Sequence, residues 1–192
     1  MTEPHELTAL DQAAAVRAGE VSPAELVRHY LDRVERLNDR YGAFITVTAD
    51  QAIARAEALA NGAAASGHTM PLFGVPTAIK DLTPTAGVRT TYGSRAYADH
   101  VPDRDAHLVT LLRRGGMISL GKTNTPEFGL CCYTDNDLAG PARNPWDRAR
   151  AAGGSSGGAA AAVALGRAPE APGSAGGGTN PYPPTSGGRL GV

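Results

Sequence analysis

Gly74-Val75-Pro76-Thr77-Ala78-Ile79-Lys80-Asp81 places a lysine at the end of a short apolar run that follows a glycine. Residues 75–79 read as a buried strand. A lysine closing such a strand loses hydration, which disfavours its charged form and lowers its pKa. A neutral amine can act as a base, a state that arginine does not reach. The residue also reads as a lysine whose stem follows the apolar surface while its head meets solvent or pairs with Asp81.

Strand and helix alternate on both sides of this run. Downstream, residues 106–114 predict a helix closed by Gly115-Gly116, and residues 117–121 a second buried strand that leads into Lys122-Thr123-Asn124. Upstream, Ser22-Pro23-Ala24-Glu25 supplies a capping serine, a proline at the first helical position and a glutamate at the third. From there to Asn38, Leu26, Val27, Tyr30, Leu31, Val34 and Leu37 fall on one helical face. Shorter helices are predicted over residues 8–18 and 50–61, with glycine stops at Gly19 and Gly62. The β-branched stretch 44–48 reads as a strand. The pattern favours α/β layering.

The 192 residues suffice for one domain with a core, and 42% hydrophobic with 19% charged residues is an ordinary globular composition. Lysine plus arginine number 18 against 19 acidic residues, a net charge of −1, so no basic excess is available to neutralise a phosphate backbone. The expectation is no nucleic-acid partner. Met1-Thr2-Glu3-Pro4-His5-Glu6 lacks the basic-then-apolar order of a secretory leader, and no apolar run reaches membrane-spanning length. Cys131 and Cys132 are adjacent and rarely bridge each other, so a reduced, cytoplasmic setting is expected, with no membrane partner.

Two glycine tracts carry further chemistry. Gly153-Gly154-Ser155-Ser156-Gly157-Gly158 precedes an Ala-rich segment, 159–165, that predicts a helix. Flanking glycines let backbone approach a ligand closely, and the helix N-terminus adds a positive dipole end. The tract also reads as a flexible linker, although it runs directly into a helix. Gly176-Gly177-Gly178-Thr179 ends in a hydroxyl, and its successive N–H groups can form an oxyanion hole. The five histidines (His5, His29, His68, His100 and His107) share no metal-ligand spacing and read as surface residues, so no metal is expected. After Gly166 no element is predicted, and the region 171–192 offers few large apolar residues beyond Tyr182, Leu190 and Val192. The expected organisation is a unit over 1–170 and an irregular, poorly packed tail over 171–192.

Four segments together resemble the amidase signature family: residues 74–81, Gly121-Lys122-Thr123-Asn124-Thr125-Pro126-Glu127-Phe128-Gly129, Asn144-Pro145-Trp146-Asp147, and residues 153–158, in the family's order. The likeness runs from about Leu7 to Gly166. It implies an α/β fold with a mixed sheet surrounded by helices, present here incompletely. It also implies cleavage of carbon–nitrogen amide bonds by a Ser–Ser–Lys type triad without a cofactor, on a small-molecule amide. Lys80 matches the family's neutral lysine, and Ser155 its bridging serine, which is held by a cis peptide. Thr179 stands where the nucleophilic serine belongs, with Gly176, Gly177 and Gly178 as oxyanion donors. Gly129 and Cys131 fall near the acyl pocket.

Here the sequence departs from the family: serine has become Thr179, aspartate Ala175 and arginine Pro181. The threonine methyl restricts χ1 and crowds the attack trajectory. Three readings follow: an amide hydrolase, a truncated non-catalytic remnant, or the amidase subunit of a tRNA-dependent amidotransferase.

Overall fold

The computed structural model describes residues 3–61 and 69–174. In chain order, the elements are α1 (Ala9–Ala18), α2 (Pro23–Tyr41), β1 (Phe44–Val47), α3 (Ala49–Asn61), β2 (Pro76–Lys80), α4 (His107–Arg114), β3 (Ile118–Thr123) and α5 (Gly157–Ala164). Short 3-10 turns cover Pro4–Glu6, Arg95–Tyr97 and Glu127–Gly129. The sheet is mixed, in the order β1-β3-β2, with β1 antiparallel and β2 parallel to β3.

Local signals explain where the helices begin and end. Ser22 caps α2 by accepting from the Glu25 backbone N–H, and the Glu25 carboxylate accepts from the Ser22 N–H in return. Gly42, at φ 58°, ends it. Leu26, Val27, Tyr30 and Val34 are buried along one face of α2 and meet Phe44, Ala52, Ala56, Phe73, Ala78, Ile118 and Leu120 in the main core. Residues three and four apart on one helix face build that stripe, so the burial follows from the helical period. Gly19, at φ 74°, closes α1. The strand expected to reach residue 48 ends at Val47, and the one expected to stop at 121 runs on to Thr123.

Helix α5 lies unusually close to the sheet. A methyl group placed on Gly158 would collide with Asn124 N, sit 2.5 Å from Asn124 O and lie 2.7 Å from Ala43 O. The far end of the helix is tied to α2, because Arg33 Nε donates to Gly166 O at 2.6 Å and its Nη2 to Leu165 O at 2.9 Å. Beyond it, Arg167 is buried, donates from Nη1 to Asn38 Oδ1 and lies over the Tyr41 ring.

Side chains alternate across a strand, so Lys80 and Asp81 leave β2 toward opposite sides. Asp81 Oδ2 accepts from the Thr91 N–H at 2.9 Å and from Thr91 Oγ1. On the neighbouring strand, Lys122 Nζ donates to Thr83 O at 2.5 Å and to Thr85 Oγ1 and Thr90 Oγ1 at 3.0 Å each. Burial lowers the Lys122 amine to about 8, with Asp81 pulling the other way. This polar knot fastens the segment 83–91 to the sheet.

Two measurements check this account. Gly158→Ala is expected to cost about 1–3 kcal/mol or more, because the new methyl meets backbone that cannot step aside; a urea-unfolding midpoint equal to the parent's excludes the close approach. Lys122 and Lys80 both hold folded values near 8 against an ordinary 10.5. Between those limits the unfolded lysines retain protons that the folded ones have shed, so stability rises with pH across the window. Lys122→Met should remove about half of that rise; an undiminished slope counts against a buried, deprotonating Lys122.

Candidate active site

Strand β2 is buried throughout and delivers Lys80 to its end with only 1% of its surface exposed. Opposite it, the segment 153–158 forms a tight turn into α5. Thr134 holds that turn twice, donating from Oγ1 to Gly154 O at 2.8 Å and accepting from the Gly157 N–H at 2.9 Å. A methyl on Gly157 would lie 2.5 Å from the same oxygen, so the sequence needs glycine there. The Gly154 N–H donates to Cys132 O, and Thr125 Oγ1 to Ser155 O at 3.0 Å. Each of these bonds fixes backbone, and together they aim the Ser155 side chain inward. The tract is a turn held from three sides, which answers the linker alternative.

Lys80 Nζ donates to Ser155 Oγ at 2.9 Å and to Ser174 O at 3.1 Å, and Ser155 Oγ also lies 3.4 Å from Ser174 O. Ser155 is fully buried. Burial alone lowers the Lys80 amine to about 8. The alternative pairing of Lys80 with Asp81 does not form, since Asp81 is turned to Thr91. A lysine and a serine hydroxyl at this distance can pass a proton between them when the amine is neutral. The neighbouring Ser156 Oγ accepts from the Ser174 N–H at 3.3 Å, which holds the segment approaching from residue 169 against the turn.

A second layer of bonds supports the turn from below. Asn136 Nδ2 donates to Asn124 Oδ1 at 2.6 Å and to Thr125 O at 2.8 Å. Asn124 Nδ2 in turn donates to Gly42 O and Gly140 O at 3.0 Å each. The end of β3, the end of α2 and the segment around residue 140 are thereby joined where Thr125 meets Ser155.

Of the sequence-derived site residues, the structure brings Lys80, Ser155 and Gly129 together. Gly129 is buried at φ 71°, and a methyl there would lie 3.7 Å from Ser155 Cβ but only 2.6 Å from Leu82 Cδ1. Cys131 is exposed. Thr179, Gly176, Gly177 and Gly178 lie outside the described residues, as do Ala175, Pro181 and most of the tail expected over 171–192. The expected cis peptide at Ser155 is not found: no cis bond occurs among the described residues. The roles of Thr125 and Thr134 escaped the sequence reading: Thr125 stands inside the 121–129 motif and Thr134 between motifs, and neither carries a mark of the backbone it holds. So did the pairing of His5 with His29, whose ring nitrogens come within 3.1 Å although 24 residues separate them.

A family model described as Amidase matches residues 25–184. A glutamyl-tRNA(Gln) amidotransferase subunit from Chromohalobacter salexigens is 47% identical over 91% of this chain, which spans 36% of that relative's length. A solved amidase is 34% identical with a TM-score of 0.84, covering 92% of this chain and 40% of its own. The solved glutamyl-tRNA(Gln) amidotransferase subunit from Thermotoga maritima is 31% identical, with a TM-score of 0.77 over 95% of this chain and 37% of its own. Four motifs in order, the mixed sheet, and a match over most of the sequence have one explanation: the chain belongs to the amidase family.

Proposed function

We propose that the protein hydrolyses amide carbon–nitrogen bonds, with Lys80 as the base and Ser155 as the relay to a nucleophilic Thr179. The observation that carries this reading is the 2.9 Å contact between Lys80 Nζ and Ser155 Oγ in a buried setting. Thr179 Oγ1 attacks the carbonyl carbon while its proton passes to Ser155 Oγ and the Ser155 proton passes to neutral Lys80. The oxygen of the tetrahedral intermediate receives N–H donors from Gly176, Gly177 and Gly178. The carbon–nitrogen bond then breaks, and the proton returns through Ser155 to the departing amine. Water repeats the sequence on the acyl-enzyme and frees the acid. Small amides are the substrate class, Gly129 beside Ser155 borders the acyl group, and Cys131 belongs to the same stretch of pocket wall.

Turnover is expected to be slow. The methyl of Thr179 crowds attack, and Ala175 and Pro181 replace two family residues next to it. The chain also spans little more than a third of its curated relatives, so whatever their remaining length does to orient substrate is not supplied by these residues. These same features favour the non-catalytic remnant as the competing reading. A second reading has its own support: the curated relatives named above are amidotransferase subunits whose names specify glutamyl-tRNA(Gln). In that reading, tRNA enters through an assembly, and the near-neutral charge of this chain concerns only its own surface.

Ammonia release from short aliphatic and aromatic primary amides separates these readings. Lys80→Ala and Ser155→Ala should each lower release by about 10²-fold or more, and Thr179→Ser should raise it. Release indifferent to Lys80 and Ser155 rejects the mechanism, and no release from any variant leaves the remnant. A rate that climbs only when glutamyl-tRNA(Gln) and partner subunits are added supports the amidotransferase assignment. The pH profile gives an independent check. The working form of Lys80 is the neutral one, and its amine sits at about 8, so the rate should rise through pH 8 and level off above it. A rate that falls as pH increases through 8 is incompatible with Lys80 as the base.

A further inference from the structure

Away from Lys80 and Ser155, three side chains with metal-ligating atoms converge at the start of the chain. Glu3, His5 and His29 each place one such atom within 4.8 Å of the other two. Their backbone is firmly held. The turn Pro4–Glu6 is closed by a capping box, with the Glu3 N–H donating to Glu6 Oε2 at 3.1 Å. Gln12 Nε2 binds that turn to the core by donating to Pro4 O at 3.0 Å, Leu7 O at 3.2 Å and the Tyr30 hydroxyl at 2.6 Å. His29 sits within α2 beside Tyr30, which is fully buried.

His5 Nδ1 lies 3.1 Å from His29 Nε2, with ring centroids 5.2 Å apart and planes within 18°. The contact holds one proton between the two facing nitrogens, and when a cation binds that proton moves to the far nitrogen of its ring in a neutral pair or leaves to solvent from a singly charged one. We propose that Glu3, His5 and His29 form a zinc-binding site in which the cation takes the place of that shared proton. Two ligands of a tetrahedral zinc with bonds of about 2.0–2.1 Å lie roughly 3.3 Å apart, close to the spacing found here. A modest turn of the rings aims both lone pairs at one point, and the exposed Glu3 carboxylate supplies the third ligand. The fourth position faces solvent and takes water.

The donor set decides the cation. Two imidazole nitrogens with one carboxylate suit zinc and its transition-metal neighbours, whereas calcium and magnesium call for oxygen ligands. The local charge is mixed: Arg33 is the strongest charge on His5 and outweighs either Glu3 or Asp32 at His29, Arg36 adds to it at His5, and Glu3, Glu6 and Asp32 act the other way. Arg33 spends its guanidinium on Gly166 O and Leu165 O. A bound cation clamps the N-terminal turn onto α2, and binding to the folded state alone stabilises it by mass action.

The test uses the full chain, stripped with a chelator, in a Cys131→Ser/Cys132→Ser background so that exposed thiols do not compete. Zinc is titrated against a chromogenic chelator, cobalt absorption reports coordination geometry, and thermal unfolding is followed with and without zinc. One equivalent of zinc should bind and raise the melting temperature, and cobalt should give the intense bands of a tetrahedral site. His5→Gln and His29→Gln should each weaken binding by more than the roughly 10-fold typical of losing an outer-shell partner, with a smaller loss for Glu3→Gln. His100→Gln, outside the cluster, should change nothing. Glu3 is exposed and His5 lies on a terminal turn, so those two variants remain informative if His29→Gln unfolds. Absence of zinc binding, or binding that survives both His5→Gln and Glu3→Gln, overturns the proposal.

Discussion

Among the described residues, the buried amine of Lys80 has no carboxylate beside it, and much of the surrounding architecture keeps matters that way. An acidic neighbour would favour the ammonium and raise the amine back toward its ordinary value. Asp81, next in sequence, is carried to the other side of the sheet by the strand pleat and engaged by Thr91. Glu170 comes near β2, but its carboxylate accepts a hydrogen bond from the Thr77 hydroxyl, and burial pushes its pKa up. The groups that Lys80 does meet, Ser155 Oγ and Ser174 O, carry no charge. A proton acceptor is thus made by exclusion as much as by contact.

That exclusion needs a dense scaffold, and the glycines around Ser155 provide it by what they omit. Gly157 leaves room for Thr134 to bond both sides of the turn, and Gly158 lets α5 press against Asn124 and Ala43. Asn124 and Asn136 spend their amides on backbone carbonyls and on each other, so the floor beneath Ser155 has satisfied polar groups. Flexible composition here serves a rigid structure, because the freedom of glycine is used up by close packing.

Much of this was readable from the sequence, for identifiable reasons. Ser22, Pro23, Glu25 and Gly19 obey local rules that tertiary context did not override, and the buried stripe of α2 followed its period. Lys80 and Ser155 stood out because apolar runs and glycine tracts mark the positions that carry them. The rest depended on distance. Nothing near Thr134 announces that it will grip residues 154 and 157, and Ser174 contributes a backbone carbonyl, a group every residue has. His5 and His29 share no spacing because their meeting depends on how the first turn docks on α2. Arg167 follows an Ala-rich helix and looks like a surface residue, yet it is buried against Tyr41 and Asn38.

The separation between Lys80 and its partner has a consequence for synthesis on the ribosome. Ser155 lies 75 residues after Lys80, and Gly166, which receives Arg33, lies 133 after that arginine. At about 5–20 residues per second, Lys80 waits on the order of 4–15 s before Ser155 has been made. Throughout that interval, strand β2 lacks the helix that covers it, and its lysine stays hydrated and charged. Only when α5 arrives to bury it does the amine fall to about 8, so the pH-sensitive form of Lys80 belongs to the finished fold and not to the nascent strand.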